Sequence, residues 1–218
     1  MEKIVLTEIE GRVLGSLIEK ERTTPEYYPL SLNALTNACN QINNRDPVVT
    51  YGENEVLRAV ESLRDKRLAY ASSGAVARVV KYGHKAVEIL ELSPAELAVM
   101  DVLMLRGPQT LGEIRGRTGR MHEFADLAAV QSVLQALASR PEPLVVCLPR
   151  QAGTKESRYA HLLAGEVVAA ANSRPVDSAA PVSEDPDRVT ALENEVGVLR
   201  SELADLRRQF EDFRKQLG

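Results

Sequence analysis

The sequence contains no tryptophan, two cysteines, three histidines and no apolar run long enough to cross a bilayer. Each shortage removes a class of function. Cys39 and Cys147 stand in unrelated contexts and form no Cys-x-x-Cys pair. No disulfide framework is expected, a reducing cytoplasm fits, and both residues read as small buried apolar groups. His84, His122 and His161 lack metal-ligand spacing with any other ligand, and His122-Glu123 lacks the second histidine of a zincin motif. Gly112, Gly116 and Gly119 are too loosely spaced for a phosphate loop. No metal, cofactor or catalytic site is therefore expected, and the chain reads as a non-enzyme. Met1–Glu8 turns acidic too early for a signal peptide, so neither export nor membrane association is expected.

A dominant charge of one sign is also missing. Residues 1–90 carry 12 basic and 12 acidic side chains, and residues 91–165 carry 8 of each. The net charge of −4 comes from residues 166–218, with 7 basic and 11 acidic. A strongly basic nucleic-acid-binding domain does not look like this.

What the chain does have is a heptad pattern. Val189, Leu192, Val196, Leu199, Leu203, Leu206, Phe210, Phe213 and Leu217 alternate steps of three and four. That is the a/d seam of a coiled coil. In a parallel pair the flanking positions match Arg188 with Glu193, Glu195 with Arg200, Glu202 with Arg207, and Gln209 with Arg214. An antiparallel pair centred on Leu203 sets Arg200 against Arg207. Such pairs contribute only about 0.2–1 kcal/mol each, so they choose orientation more than they stabilise. The pattern predicts a parallel homodimer; the alternative is one amphipathic helix folded back on its own domains.

Before the heptads, one order of elements occurs twice. Thr7 and Glu10 form a capping box opening a helix with Val13, Leu14, Leu17 and Ile18 on one face. A short helix starts near Ser31, and Thr50 with Glu53 predicts a box for a third helix with Val56, Leu57, Val60 and Leu63 inward. Leu68–Ala71, a turn at Ser72–Gly74 and Ala75–Tyr82 read as a hairpin. The second unit opens with the capping box Ser93-Pro94-Ala95-Glu96, whose helix runs to Arg106 and is stopped by Gly107-Pro108. It continues through a helix begun at Thr110, a helix over about Asp126–Ser139, and a hairpin from Leu144–Leu148 to Ser157–Leu163. The predicted fold is mostly α with small β-hairpins (α+β): two tandem winged-helix domains, 1–90 and 91–165. A flexible linker, 166–187, and a coiled coil, 188–218, follow.

Pro29-Leu30-Ser31-Leu32-Asn33-Ala34-Leu35, Asn37–Gln41 and Asn44-Arg45-Asp46-Pro47-Val48 resemble the signature of the YceH-like family of bacterial proteins. The resemblance extends over about residues 7–165. It implies two tandem winged-helix domains, and many members add a C-terminal coiled coil. It carries no residue roles, since the family is biochemically uncharacterised.

Two functions remain. Winged helices usually contact DNA through the third helix and the wing. Arg64, Lys66, Arg67, Arg78, Lys81 and Lys85 stand against Asp65 alone, five net positive charges in 22 residues. They suit phosphates better than bases. Glu53 and Glu55, at the reading end of the third helix, oppose phosphate. Asn33, Asn37, Asn40, Gln41, Asn43 and Asn44, with Arg45, are candidate base contacts or loop-fixing groups. Tyr27 and Tyr28 either stack on a partner or pack over the core. The first expectation is a dimeric binder of double-stranded DNA, such as a transcriptional regulator. The alternative is an adaptor for an unidentified protein, favoured by neutral domains and an uncharged third helix in the second unit.

Overall fold

The computed structural model describes residues 4–73, 79–150 and 156–165. The heptad residues Val189–Leu217, the linker 166–187 and Arg78 lie outside them. Helix α1 (Glu8–Thr23) opens as expected: the Glu10 N–H donates to Thr7 Oγ1 at 3.3 Å, and the Thr7 N–H donates to the Glu10 carboxylate at 2.7 Å. Two donors without helical partners are thereby satisfied. A two-residue strand β1 (Leu30–Ser31) leads into α2 (Leu32–Cys39), which Ser31 caps.

Helix α3 (Glu53–Asp65) starts later than the expected Thr50 box. Gly52 is its N-cap, and the Gly52 N–H donates to Glu55 at 2.8 Å. The reason lies across the loop. The Asn40 amide donates to the Tyr51 carbonyl and accepts its N–H, both at 2.8 Å, which holds Tyr51 outside the helix.

Strand β2 (Ala69–Ser72) pairs antiparallel with β3 (Lys81–His84), Tyr70 opposite Gly83. A Cβ at Gly83 would collide with the Tyr70 ring, so glycine lets the tyrosine lie across the strand. The return strand was expected from Ala75. Residues 75–78 lie outside the described set, Val79 and Val80 belong to no strand, and pairing begins at Lys81. On its other edge β3 pairs with β1, Leu30 opposite Tyr82. A two-residue strand shows no alternation to read, so this third strand was not foreseen. Nor was the short α4 (Ala86–Leu90).

Helix α5 (Pro94–Arg106) has the expected Ser93–Glu96 box and stops at Gly107, where φ is +67°. Helices α6 (Leu111–Thr118) and α7 (Leu127–Ala138) are capped by Thr110 and Asp126. Strands β4 (Val145–Cys147) and β5 (Tyr159–His161) pair antiparallel, Val146 opposite Ala160. The described architecture is thus helical with two small antiparallel sheets. Cys39 is in the core, where burial pushes its thiol up to about 11; Cys147, expected to be buried, is exposed near a strand end.

The two halves meet in a shared core. Leu14, Leu17 and Ile18 of α1 belong to the same apolar cluster as Leu97, Met100 and Leu103 of α5. Residue 90, the expected domain boundary, lies within this compact unit. The Asp46 N–H donates to the Leu105 carbonyl at 2.9 Å, and Arg140 reaches back to the Leu90 carbonyl at 2.6 Å. The contact between α1 and α5 centres on Gly15, where an added Cβ would sit 2.8 Å from Leu105 Cγ and Cδ2. Asp101 of α5 lies beside it, 1% exposed, with Oδ1 unpaired among the described residues.

Two outcomes follow. Alanine at Gly15 gains up to ~1 kcal/mol of helix propensity but overpacks the contact by about 1–3 kcal/mol. Gly15→Ala should therefore lower the urea midpoint, and Leu105→Ala should be less damaging in the Gly15→Ala background than alone. Additive losses in the double-mutant cycle would contradict the contact. For Asp101, burial and then the Glu19 charge hold the carboxyl well above the usual carboxylate range. The folded state keeps a proton that the unfolded chain loses near pH ~3.9, so stability falls as pH rises above that value. Asp101→Asn should raise Tm at pH 8 more than at pH 5; an equal shift at both would rule out the titration.

Candidate nucleic-acid interface

The candidate cations divide into two sets. Lys66 is half-buried and already paired: Nζ donates to both Glu10 oxygens, at 2.7 and 2.6 Å, and to the Val5 carbonyl at 2.8 Å. Burial alone would raise the Glu10 carboxyl, but bonds from Lys66, Ser62 and the Thr7 N–H hold it below its ordinary value. Arg64 is exposed on the last turn of α3, and Arg67 is exposed in the turn beyond, with φ at 62°. Lys81 is exposed at the start of β3 and Lys85 just past its end. These four make no ion pair among the described residues. Arg78 lies outside the description.

Part of the amide cluster serves the fold, while Asn33, Asn37 and Asn43 are exposed. Asn40 clamps Tyr51 with both ends of its amide. Gln41 Oε1 accepts from Lys20 at 3.2 Å and from Arg45 at 3.3 Å. Asn44, in the left-handed region at φ 63°, accepts from Arg106. Arg45 is buried, donating to the Ala38 carbonyl at 2.9 Å and pairing with Glu19 at 2.5 Å. Asn37 donates to Asn33, and Asn33 to Glu53. Of the two readings offered for this cluster, loop fixing accounts for these bonds. Tyr28 packs inward, its hydroxyl accepting the His84 N–H at 2.6 Å, whereas Tyr27 is 70% exposed.

Several structural groups gave no sequence signal that was used. Arg12 donates to the Cys39 carbonyl at 3.2 Å and the Pro47 carbonyl at 2.6 Å, tying down the loop between α2 and α3. Burial and the nearby Arg45 lower its pKa. The available signal was Gly11 and Gly15 opposite the apolar stripe of α1, which marks a helix packed on two faces. His84 is likewise committed: Nδ1 accepts the Ala86 N–H at 3.2 Å, leaving Nε2 to donate to Glu21 at 3.1 Å. His122 meets Phe124 edge-on, and His161 lies on β5 with Nδ1 unpaired among the described residues. Among the described residues no three of His, Cys, Asp or Glu gather at one point, and no helix is long and apolar enough to cross a membrane.

The exposed helix faces differ. Helix α3 shows Glu53, Asn54, Glu55, Arg58, Glu61, Arg64 and Asp65, four acids against two cations. Helix α7 shows Leu127, Ala128, Gln131, Ser132, Gln135 and Ala136, without a charge. In the second half Arg115 donates to the Phe124 and Ala125 carbonyls, and Arg158 to Glu113 and the Pro108 carbonyl. Arg120 and Arg150 remain exposed.

The division of the cations is measurable. Lys66→Met leaves Glu10, 3% exposed, without its cation. It should destabilise the chain by about 3 kcal/mol, in the range for breaking a buried pair. Lys81→Ala, at an exposed site, should stay within ~0.5 kcal/mol of wild type. Equal urea midpoints for the two variants would contradict the assignment.

Comparison with known proteins places the chain among relatives. A family model described as "Protein of unknown function, DUF480" matches residues 6–154. A UPF0502 protein of Opitutus terrae is 56% identical over 198 residues, 89% of this chain and 83% of the relative. One from Geobacter sulfurreducens is 55% identical over 202 residues, 90% and 91% of the two chains. One from Vibrio campbellii is 50% identical over 199 residues, 89% and 91%. The chain with this shared core and clamped loop thus belongs to the DUF480/UPF0502 family of uncharacterised bacterial proteins.

Proposed function

We propose that this protein contacts the backbone of double-stranded DNA through Arg64, Arg67, Lys81 and Lys85, as a transcriptional regulator. In this reading each half is a winged helix: three helices, then a hairpin, in the order that the YceH-like resemblance implies. The observation that carries it is the exposure of those four cations around the base of the first hairpin, free of ion pairs among the described residues. Phosphate contacts from exposed Arg and Lys fix a protein on a duplex without reading sequence. Asn40 and Gln41 are held in bonds within the fold, so in this reading binding is led by the backbone contacts. The heptads at 189–217 supply a parallel homodimer, which sets two wings on one duplex and raises avidity. The protein acts in the cytoplasm and needs neither metal nor cofactor.

A second reading, an adaptor that binds another protein, is favoured by one observation. The exposed face of α7 is uncharged, with Leu127 46% exposed. Such a face repels neither an apolar partner nor an acidic one.

Binding to mixed genomic duplex, measured at low and near-physiological salt, separates the two. Backbone-led binding gives a Kd on the order of 10⁻⁴–10⁻⁶ M that weakens steeply with salt. Replacing Arg64, Arg67, Lys81 and Lys85 with alanine removes four phosphate contacts and should reduce the salt slope by about 3–4. No binding at low salt, or an unchanged slope in the variant, would overturn the DNA reading and make the adaptor reading the leading one.

A further inference from the structure

A second polar site lies away from the wing. Glu19 of α1, Asn44 of the loop after α2, Asp101 and Arg106 of α5, and Arg117 and Arg120 from the end of α6 line a half-open cavity of about 40 Å³. We propose that this cavity binds a small tetrahedral oxyanion, of the inorganic phosphate class, between the guanidinium groups of Arg106, Arg117 and Arg120.

Charge argues for an anion. Glu19 is already neutralised, with Arg45 2.5 Å from one oxygen and Lys20 3.3 Å from the other. Arg106 has only the Asn44 amide oxygen as a side-chain partner among the described residues. Its pKa is lowered by burial and then by Arg117 and Arg45, which together outweigh the opposing Glu19 and Asp101. Arg117 bonds Gln109, and its nearest carboxylate, Glu113, stands 3.8 Å away. Arg120 is exposed and makes no ion pair or side-chain hydrogen bond among the described residues. Guanidinium groups are the side chains best shaped to take two oxygens of one oxyanion.

Asp101 supplies the second, independent observation. It is 1% exposed, lines the cavity, and has a carboxyl oxygen with no partner among the described residues. A carboxyl kept protonated there donates one hydrogen bond, which a phosphate oxygen accepts. Size sets the class. One water needs ~10–15 Å³ by this measure, so the cavity takes a small oxyanion and excludes a nucleoside. The anion arrives either free or as the phosphate end of a metabolite whose organic part stays outside the mouth.

The test is calorimetric titration of the full chain with inorganic phosphate, at constant ionic strength made up with chloride. One saturable site per chain is expected. Arg106→Ala and Arg120→Ala should each weaken Kd by about ten-fold or more, the loss of one charged hydrogen bond. Because the Arg120 side chain bonds nothing among the described residues, its variant tests the site and leaves the fold alone. Asp101→Asn keeps a donor and should retain binding at pH 7.5, while Asp101→Leu should lose it. Glycerol phosphate titrated in parallel distinguishes the sources. Tighter binding than phosphate assigns a phosphorylated metabolite, and equal or weaker binding assigns the free anion. No saturation up to about 10 mM phosphate, or unchanged binding in the folded Arg106 and Arg120 variants, would overturn the proposal. No nucleic acid enters the titration, and the four wing cations are untouched, so its result is separate from that of the DNA reading.

Discussion

Helix α1 is buried along ten consecutive residues, Glu10 to Glu19, so it has no solvent face in its middle. An ordinary surface helix keeps its charges on the outer side. Here that side is covered as well, and each polar group on it needs an internal partner. Glu10 takes Lys66 from the end of α3. Arg12 takes two carbonyls of the loop between α2 and α3. Glu19 takes Arg45 from the same loop. The satisfaction of one helix thereby places the loop, the end of α3 and the start of the hairpin.

That constraint decides which polar residues are left for function. Sequence composition offers a cluster of amides and a basic segment as equals. Burial separates them: Asn40, Gln41, Arg45 and Lys66 are consumed in holding the loop and α1, and Arg64, Arg67, Lys81 and Lys85 are not. Breaking a buried pair from one side costs several kcal/mol, whereas an exposed cation is nearly free to change. The consumed set is therefore fixed by folding, and the exposed set is free of that constraint.

The legible parts of the fold were those written locally. The boxes at Thr7 and Ser93, the helix begun at Thr110 and the stop at Gly107 stand where spacing and capping chemistry put them. The misplaced parts depended on distant groups. Thr50 has the pattern of a cap, but Asn40, eleven residues from Tyr51, holds the chain extended there and moves the start of α3 to Glu53. Strand β1 exists only because β3 offers it an edge. Lys66 reads as a surface cation until a buried carboxylate 56 residues away is brought beside it. The same holds for the oxyanion cavity, whose arginines come from α5 and the end of α6 and whose acids come from α1 and α5. No spacing along the chain encodes that convergence.

The join between the halves is an unexpected place for a polar cluster. Apolar side chains at Glu19 and Arg45 would be at least as stable there as a buried ion pair. A charged cluster in that position is weak evidence for stability and better evidence for a use. Asp101 makes the point sharply, because its carboxyl gains no ion pair among the described residues and faces another acid. A buried carboxyl with an unpaired oxygen among the described residues, at the seam of the two halves, is placed where a bound anion would satisfy it and tie α5 and α6 to the loop beside α1. Such binding would add stability to the junction only when the anion is present. That makes the seam the natural point at which a small ligand would act on how firmly the two halves are held.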